Sequence, residues 1–310
     1  MSWGTPRCNP WAIGGGHEKM AHQSIPSYHW WINEQKLFNF VFLEEGVNMP
    51  IELFAAPLRP THRIFYARFD SLNLGRPGPA RLRLRAVAVE KAKVIVVGLP
   101  DREDVTEEFL QLYGKRCVLD ATAYEHLDHP YQNDKYLDEM ARKKGLADAR
   151  GKTVRDVLPK AAAENLEAYR AMRSQGTRVN ERGAMAADVS QGAAERKRAS
   201  PFMPTIQGST MMVSVKEDAE KDYMYTPKEL AFAHGWPVFQ HLLNDRNKDL
   251  HGLLNHNFDY EDMTTCAQMK LLGEGLNLAC EEAWFFFVMS HCLRRATLDE
   301  VVPPHPLLLT

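Results

Sequence analysis

The sequence predicts an α/β fold: an open, doubly wound but incomplete sheet, with a mostly helical region inserted at about residues 100–205. Three observations predict it. The run NFVFLEEG is apolar until it stops abruptly on two acids, the pattern of a strand buried on both faces. RIFYARFD alternates as a pleat does, and LRLRAVAVEKAKVIVVG supplies two more β-rich runs around a turn at Glu90–Ala92. Helical segments accompany these runs, and open sheets of that kind bind ligands at the carboxyl ends of their strands. Glu44 falls at such an end.

The remaining elements follow in order. MAHQSIPSYHWWINEQKL, residues 20–37, reads as a helix broken or started near Pro26. After Pro100, DREDVTEEFLQLYGKR and TVRDVLPKAAAENLEAYRAMRSQG read as helices. RVNERGAMAADVSQGAAERKRAS is polar and rich in small residues, which predicts a mobile connection. TPKELAFAHGW carries a start signal, with Thr226 as N-cap, Pro227 at the first helical position and Glu229 three residues on; it ends near Gly235. Leu276 to Arg295 predicts a long apolar helix. The expected organisation is a region at 1–100, an insertion at 101–205, and a segment at 206–310 that returns to the first region. No internal repeats occur.

Composition narrows the class. The 310 residues are 45% hydrophobic and 25% charged, with a net charge of −2, as in ordinary globular chains. The longest apolar candidate, AWFFFVMSHCL, falls short of the ~18–20 residues of a membrane span. The first residues lack a basic start followed by an apolar core, so no secretion is expected. Five cysteines, odd in number, scattered and never in a CxxC pair, argue against a disulfide framework and against a zinc cage. An intracellular location is expected, nuclear if the source is eukaryotic. His17 and His22 are five apart and cannot share a helix face as i,i+4 ligands do, so no metal is expected. Residues 135–200 carry 15 Lys and Arg against 9 Asp and Glu, while 218–262 are acidic. That basic region suits a polyanion, or equally a solvated helix face.

The stretch CNPWAIGG asks for a reason. Pro6 and Pro10 stiffen the backbone around Cys8, and Gly14, Gly15 and Gly16 then free it. On this alone Cys8 is either a small buried hydrophobe or a side chain held for chemistry. Likewise, Glu44 and Glu45 could cap a strand in solvent, and the Arg81, Arg83, Arg85 alternation could be a solvated face.

Taken in order, GTPRCNPWAIGG, FVFLEE, RPGPARLRLR, PFMPTIQGST, TPKELAFAHGWP and KLLGEGLNLACEEAW resemble the motifs of the cytosine-5 DNA methyltransferases, from about Gly4 to about His291. The resemblance implies a partial Rossmann-like methyltransferase sheet with an inserted target-recognition region. It implies S-adenosylmethionine as methyl donor and double-stranded DNA as partner, with the target base flipped out of the stack. Cys8 then matches the nucleophile that adds to cytosine C6, and Glu44 the residue that hydrogen-bonds the exocyclic amine and N3. Arg7, Arg81 and Arg83 supply positive charge that favours a thiolate. Gly273, Glu274 and Gly275 match the closing loop on the cofactor side.

The departures are specific. No Phe-x-Gly-x-Gly strand-loop for the cofactor is present. Glu45 stands for the asparagine after the family's glutamate, Glu274 for the asparagine of the closing loop, and Pro79 for a glutamine. Ala12 stands for a serine, and Arg7 is inserted before the cysteine. The expectation is therefore the carboxyl-terminal part of a methyltransferase-like protein, with little transfer unless a cofactor-binding half completes it. Two alternatives are a catalytically inactive DNA-binding relative and an unrelated α/β protein. No oligomeric state is readable.

Overall fold

The apolar run that ends on two acids is the second strand of a four-stranded sheet. The structure, a computed structural model, describes residues 1–4, 24–128, 130–192, 199–236, 238–239 and 263–294. Cys8, His17 and His22 lie outside the described residues. The chain is mixed α/β and forms two units, one of Met1–Phe69, Leu82–Gly114 and Glu282–Thr310, the other of Asp70–Arg81 and Lys115–Glu281.

In the first unit, β1 (Ser2–Gly4), β2 (Phe40–Gly46), β3 (His62–Phe69) and β4 (Arg83–Glu90) make one sheet in the order β1-β2-β4-β3. β1 runs parallel to β2, with Gly4 opposite Leu43. β4 is antiparallel to both β2 and β3, so β1, β2 and β3 share a direction and β4 alone is reversed. Six of the seven β2 residues are buried, which accounts for the unbroken apolar run. Alternation sends Val41 and Leu43, with Ala86 and Ala88 of β4, to the face covered by α1 (Ile25–Glu34) and α2 (Glu52–Leu58). The opposite face carries Phe42, which stacks on Trp3 at 4.7 Å, and Phe69, which stacks on Phe109 of α3 (Thr106–Tyr113) at 4.1 Å. Trp284 and Phe287, from the helix Leu278–Ser290 (α9), close on the same aromatic group.

The helix expected over 20–37 begins at Ile25, with Pro26 in its first turn. Gly4 has a packing reason: a Cβ there would lie 2.2 Å from the Trp31 ring. The long tail helix ends at Ser290, short of the expected Arg295. The Ser290 hydroxyl and the His291 ring both bond the Phe287 carbonyl, and Cys292–Arg294 then becomes a strand (β10) antiparallel to β5 (Val94–Val96). A waiting edge strand outcompetes the helix's last turn.

The second unit is built on a smaller antiparallel sheet, β7-β6-β8-β9, from β6 (Ala186–Asp188), β7 (Ala199–Ser200), β8 (Met212–Ser214) and β9 (Tyr223–Met224). Helices α4 (Pro130–Lys143), α5 (Val154–Val157) and α6 (Lys160–Ser174) pack with Ala187, Val213 and Met224 of this sheet. α7 (Pro227–Ala233) and α8 (Thr265–Glu274) pack with Ala186, Met212 and Tyr223. The polar stretch expected to be a mobile connection is corrected here: Ala184 to Val189 is buried, with β6 between two cores. Its alanines let both layers approach. The fully buried Asp188 is satisfied by Ser190, Thr210 and the Met211 N–H. The helix read through TVRDVLPK breaks at Leu158, which is extended (ψ 147) ahead of Pro159.

Candidate functional site

Strand register positions the first pair. Glu44 lies opposite Arg85 and Gly46 opposite Arg83, so Glu44, Arg83 and Arg85 share a face. Arg83 Nε stands 3.0 Å from Glu44 Oε1, with the glutamate side chain 7% exposed and the arginine 18%. The two charges are enclosed together, and removing either partner would strand the other. Arg85 does something else. It is buried against the Phe69 ring, 4.3 Å from guanidinium to centroid, and donates to the Phe69 carbonyl at 2.9 Å.

Glu45, one residue on, points to the other face. It is 1% exposed. Its Oε2 accepts the Gly46 N–H at 2.9 Å, and its Oε1 has no hydrogen-bond partner among the described residues. Burial pushes this carboxyl up to about 8; the Gly46 N–H and Arg83 oppose the rise, and the Glu44 charge adds to it. Sequence reading offers Glu45 as a departure from a motif or, with Glu44, as a strand cap in solvent; the burial of both acids overturns the cap. The available signal was a second acid at the end of an unbroken buried run, where alternation must send one of two neighbours inward.

β4 starts at Arg83, and Arg81 belongs to the second unit, where its Nη1 donates to the Gly275 carbonyl at 3.0 Å. Four of the sequence pieces meet there. Met203 and Pro77 are joined by a backbone bond of 3.2 Å, and the Ala80 N–H donates to the Met203 carbonyl at 2.9 Å. The Thr205 hydroxyl donates to the Ala80 carbonyl at 2.6 Å. The Leu278 N–H donates to the His234 carbonyl at 2.9 Å, and Trp236 Nε1 to the Leu276 carbonyl at 3.2 Å. The TPKELAFAHGW capping box forms as read, and Gly235 takes φ +83, the left-handed value that favours glycine.

Residues 273–275 close this junction from the end of α8. A Cβ on Gly273 would lie 2.1 Å from the Gly208 nitrogen, and one on Gly275 would lie 2.8 Å from the Leu271 carbonyl oxygen. Both glycines are filled by the chain's own backbone. They form no open cradle, so the two glycines do not by themselves fit S-adenosylmethionine.

Elsewhere in the first unit a cleft of about 520 Å³ is lined by Arg59, Arg63, Lys91 and Arg102. Its arginines are already paired: Arg59 with Glu52 and Glu103, Arg63 with Asp101, and Arg102 with Glu107 and Glu108. None of the expected site residues lines it. Among the described residues no group of three or more His, Cys, Asp or Glu could hold a metal ion, and no helix is long and apolar enough to cross a membrane.

No protein-family model and no curated protein matches the sequence. Solved structures do match. A mutant Spodoptera frugiperda DNMT2 is 13% identical with a TM-score of 0.47, over 93% of this chain and 79% of that one. The S. pombe Dnmt2 methyltransferase is 11% identical with a TM-score of 0.45, over 93% and 76%. The Entamoeba histolytica methyltransferase EhMeth is 12% identical with a TM-score of 0.47, over 93% and 77%. At such identities and scores this likeness assigns no residue and no activity.

Proposed function

We propose that the chain carries the base-engaging part of a cytosine-5 methyltransferase-type site, acting on cytosine in double-stranded DNA. The observation that carries this reading is the enclosed Glu44–Arg83 pair at the carboxyl end of β2. β1 runs parallel beside it, and the motif resemblance puts the nucleophile at Cys8, four positions after Gly4 in the sequence. The meeting of four motif pieces in the second unit supports the same reading, because segments up to 194 residues apart are joined there.

In this reading the Cys8 thiolate adds to C6 of a flipped cytosine. The S–C6 bond forms, and the C5=C6 electron pair moves toward C5 and, through the ring, toward N3. Glu44 accepts the exocyclic N–H, N3 takes a proton from solvent to neutralise the charge brought by the thiolate, and Arg83 fixes the carboxyl in place and limits its side-chain freedom. S-adenosylmethionine is the methyl donor the motif resemblance implies. Since Gly273 and Gly275 are packed against backbone, no transfer step is derived through them. That packing favours a second reading, a DNA-engaging protein without methyl transfer.

Duplex binding tests the partner. Affinity for a cytosine-containing duplex should fall at least tenfold between about 50 and 200 mM salt, because phosphate contacts release counterions. Binding indifferent to salt, or none at low salt, would remove DNA as the partner. Robust methylation by this chain alone would show that the cofactor is held elsewhere.

A further inference from the structure

The end of β2 holds a buried carboxyl that the proposed chemistry does not use. We propose that Glu45 is a proton-dependent latch between β2 and the helix α1 that covers it: the neutral carboxyl lets the helix close on the sheet, and ionisation loosens it. The inference rests on the first unit alone and stands whether or not the methyltransferase reading does.

Alternation places Glu45 on the face of Val41 and Leu43, against which α1 packs Ile25, Tyr28 and Ile32. Tyr28 is 6% exposed, and its hydroxyl, like Glu45 Oε1, has no hydrogen-bond partner among the described residues. Burial and then the Glu45 charge push the Tyr28 phenol well above its ordinary value, so it stays neutral and offers no countercharge.

Among the described residues no charged side chain pairs with Glu45, and Arg83 only partly opposes the effect of burial. Glu44 and Arg83 lie on the opposite face, paired with each other. His29 and Glu34 of α1, and Lys36 just after it, are exposed, while Gln35 donates to the Trp31 carbonyl. Glu52 of α2 is exposed and bound to Arg59. Arg68, two strands away on the same face, is bound to Asp104. β1 has no ionisable side chain. A carboxylate at Glu45 would therefore be an unpaired charge in an apolar layer, which is costly, whereas the acid is tolerated.

The sign follows from linkage. A carboxyl that binds its proton more tightly in the closed state than in the open one makes the closed state less stable as pH rises. The loss runs from the ordinary carboxyl range up to the raised value of about 8 and levels off above it. Amide hydrogen exchange reads this directly, with rates corrected for base catalysis and α6 of the other unit as reference. The expected result is that α1 protection falls about tenfold per pH unit between pH 5 and 8, α6 protection stays flat, and Glu45→Gln abolishes the α1 dependence. An unchanged α1 profile in Glu45→Gln would overturn the proposal. So would α1 and α6 falling together in both proteins. If the variant does not fold, carboxyl ¹³C titration of the unmodified protein decides. A Glu45 midpoint near 8 supports the latch, and one in the ordinary carboxyl range ends it.

Discussion

The end of β2 and the junction of the second unit both gather residues that the motifs single out, but they use them differently. At β2 the side chains differ in their charge partners: Glu44 meets Arg83 on one face, and among the described residues Glu45 pairs with no cation on the other. At the junction, backbone carries the structure. Arg81 serves a carbonyl, Thr205 serves another, and Gly273 makes room for the Gly208 peptide. The difference teaches that motif resemblance alone does not separate residues poised for a substrate from residues that hold the chain. A glycine reads alike whether it admits a ligand or a neighbouring strand of backbone.

Gly273→Ala should have the largest effect, because the clashing atom is a backbone nitrogen that cannot rotate away. Urea unfolding should show a loss of about 3 kcal/mol. A neutral result would mean that Gly273 has space for a ligand after all, and the contrast between the two regions would fail.

Arg83→Met comes next. It leaves Glu44 enclosed without its cation, a change worth about 3–5 kcal/mol for fully buried pairs. With Arg83 18% exposed, about 2 kcal/mol is expected at pH 7. The double variant Arg83→Met with Glu44→Gln should recover most of it. Failure to recover would show that Arg83 matters for packing rather than charge.

The two adjacent acids separate further by pH. Because the folded-state Glu45 carboxyl sits near 8, the unmodified protein should lose about 1.4 kcal/mol between pH 6 and pH 7 relative to Glu45→Gln. The two proteins should agree below pH 4. Parallel curves across that range would mean that Glu45 is solvated.

Much of the fold was legible because its signals are local. The FVFLEE strand and the Thr226–Glu229 capping box needed only their own neighbours to be recognised. The bond from Arg81 to a carbonyl 194 residues away was not legible, because no spacing along one strand can reveal it. The alanine-rich β6 looked like a mobile connection because its burial comes from two layers built elsewhere in the chain. At the site, Glu44 was read from its strand end. Glu45's inward face becomes legible only when the sheet is known to be covered on that side by α1.

Thr205→Val should have the smallest effect, about 1 kcal/mol for one lost hydroxyl bond at the junction. Duplex affinity should stay unchanged, and a loss of DNA binding in this variant would move the junction from scaffold to contact surface.

Covalent capture tests the central claim most directly. With duplex DNA in which 5-azacytosine replaces cytosine, the Cys8 thiolate should form an S–C6 bond while N5 takes a proton. That gives an adduct that survives denaturing electrophoresis without any methyl donor. Cys8→Ser should abolish the adduct and retain salt-sensitive binding, and Glu44→Gln should lower its yield by about 10²-fold or more. An adduct that persists in Cys8→Ser, or one indifferent to Glu44→Gln, would contradict the assignment of β2's end as the place where cytosine is held.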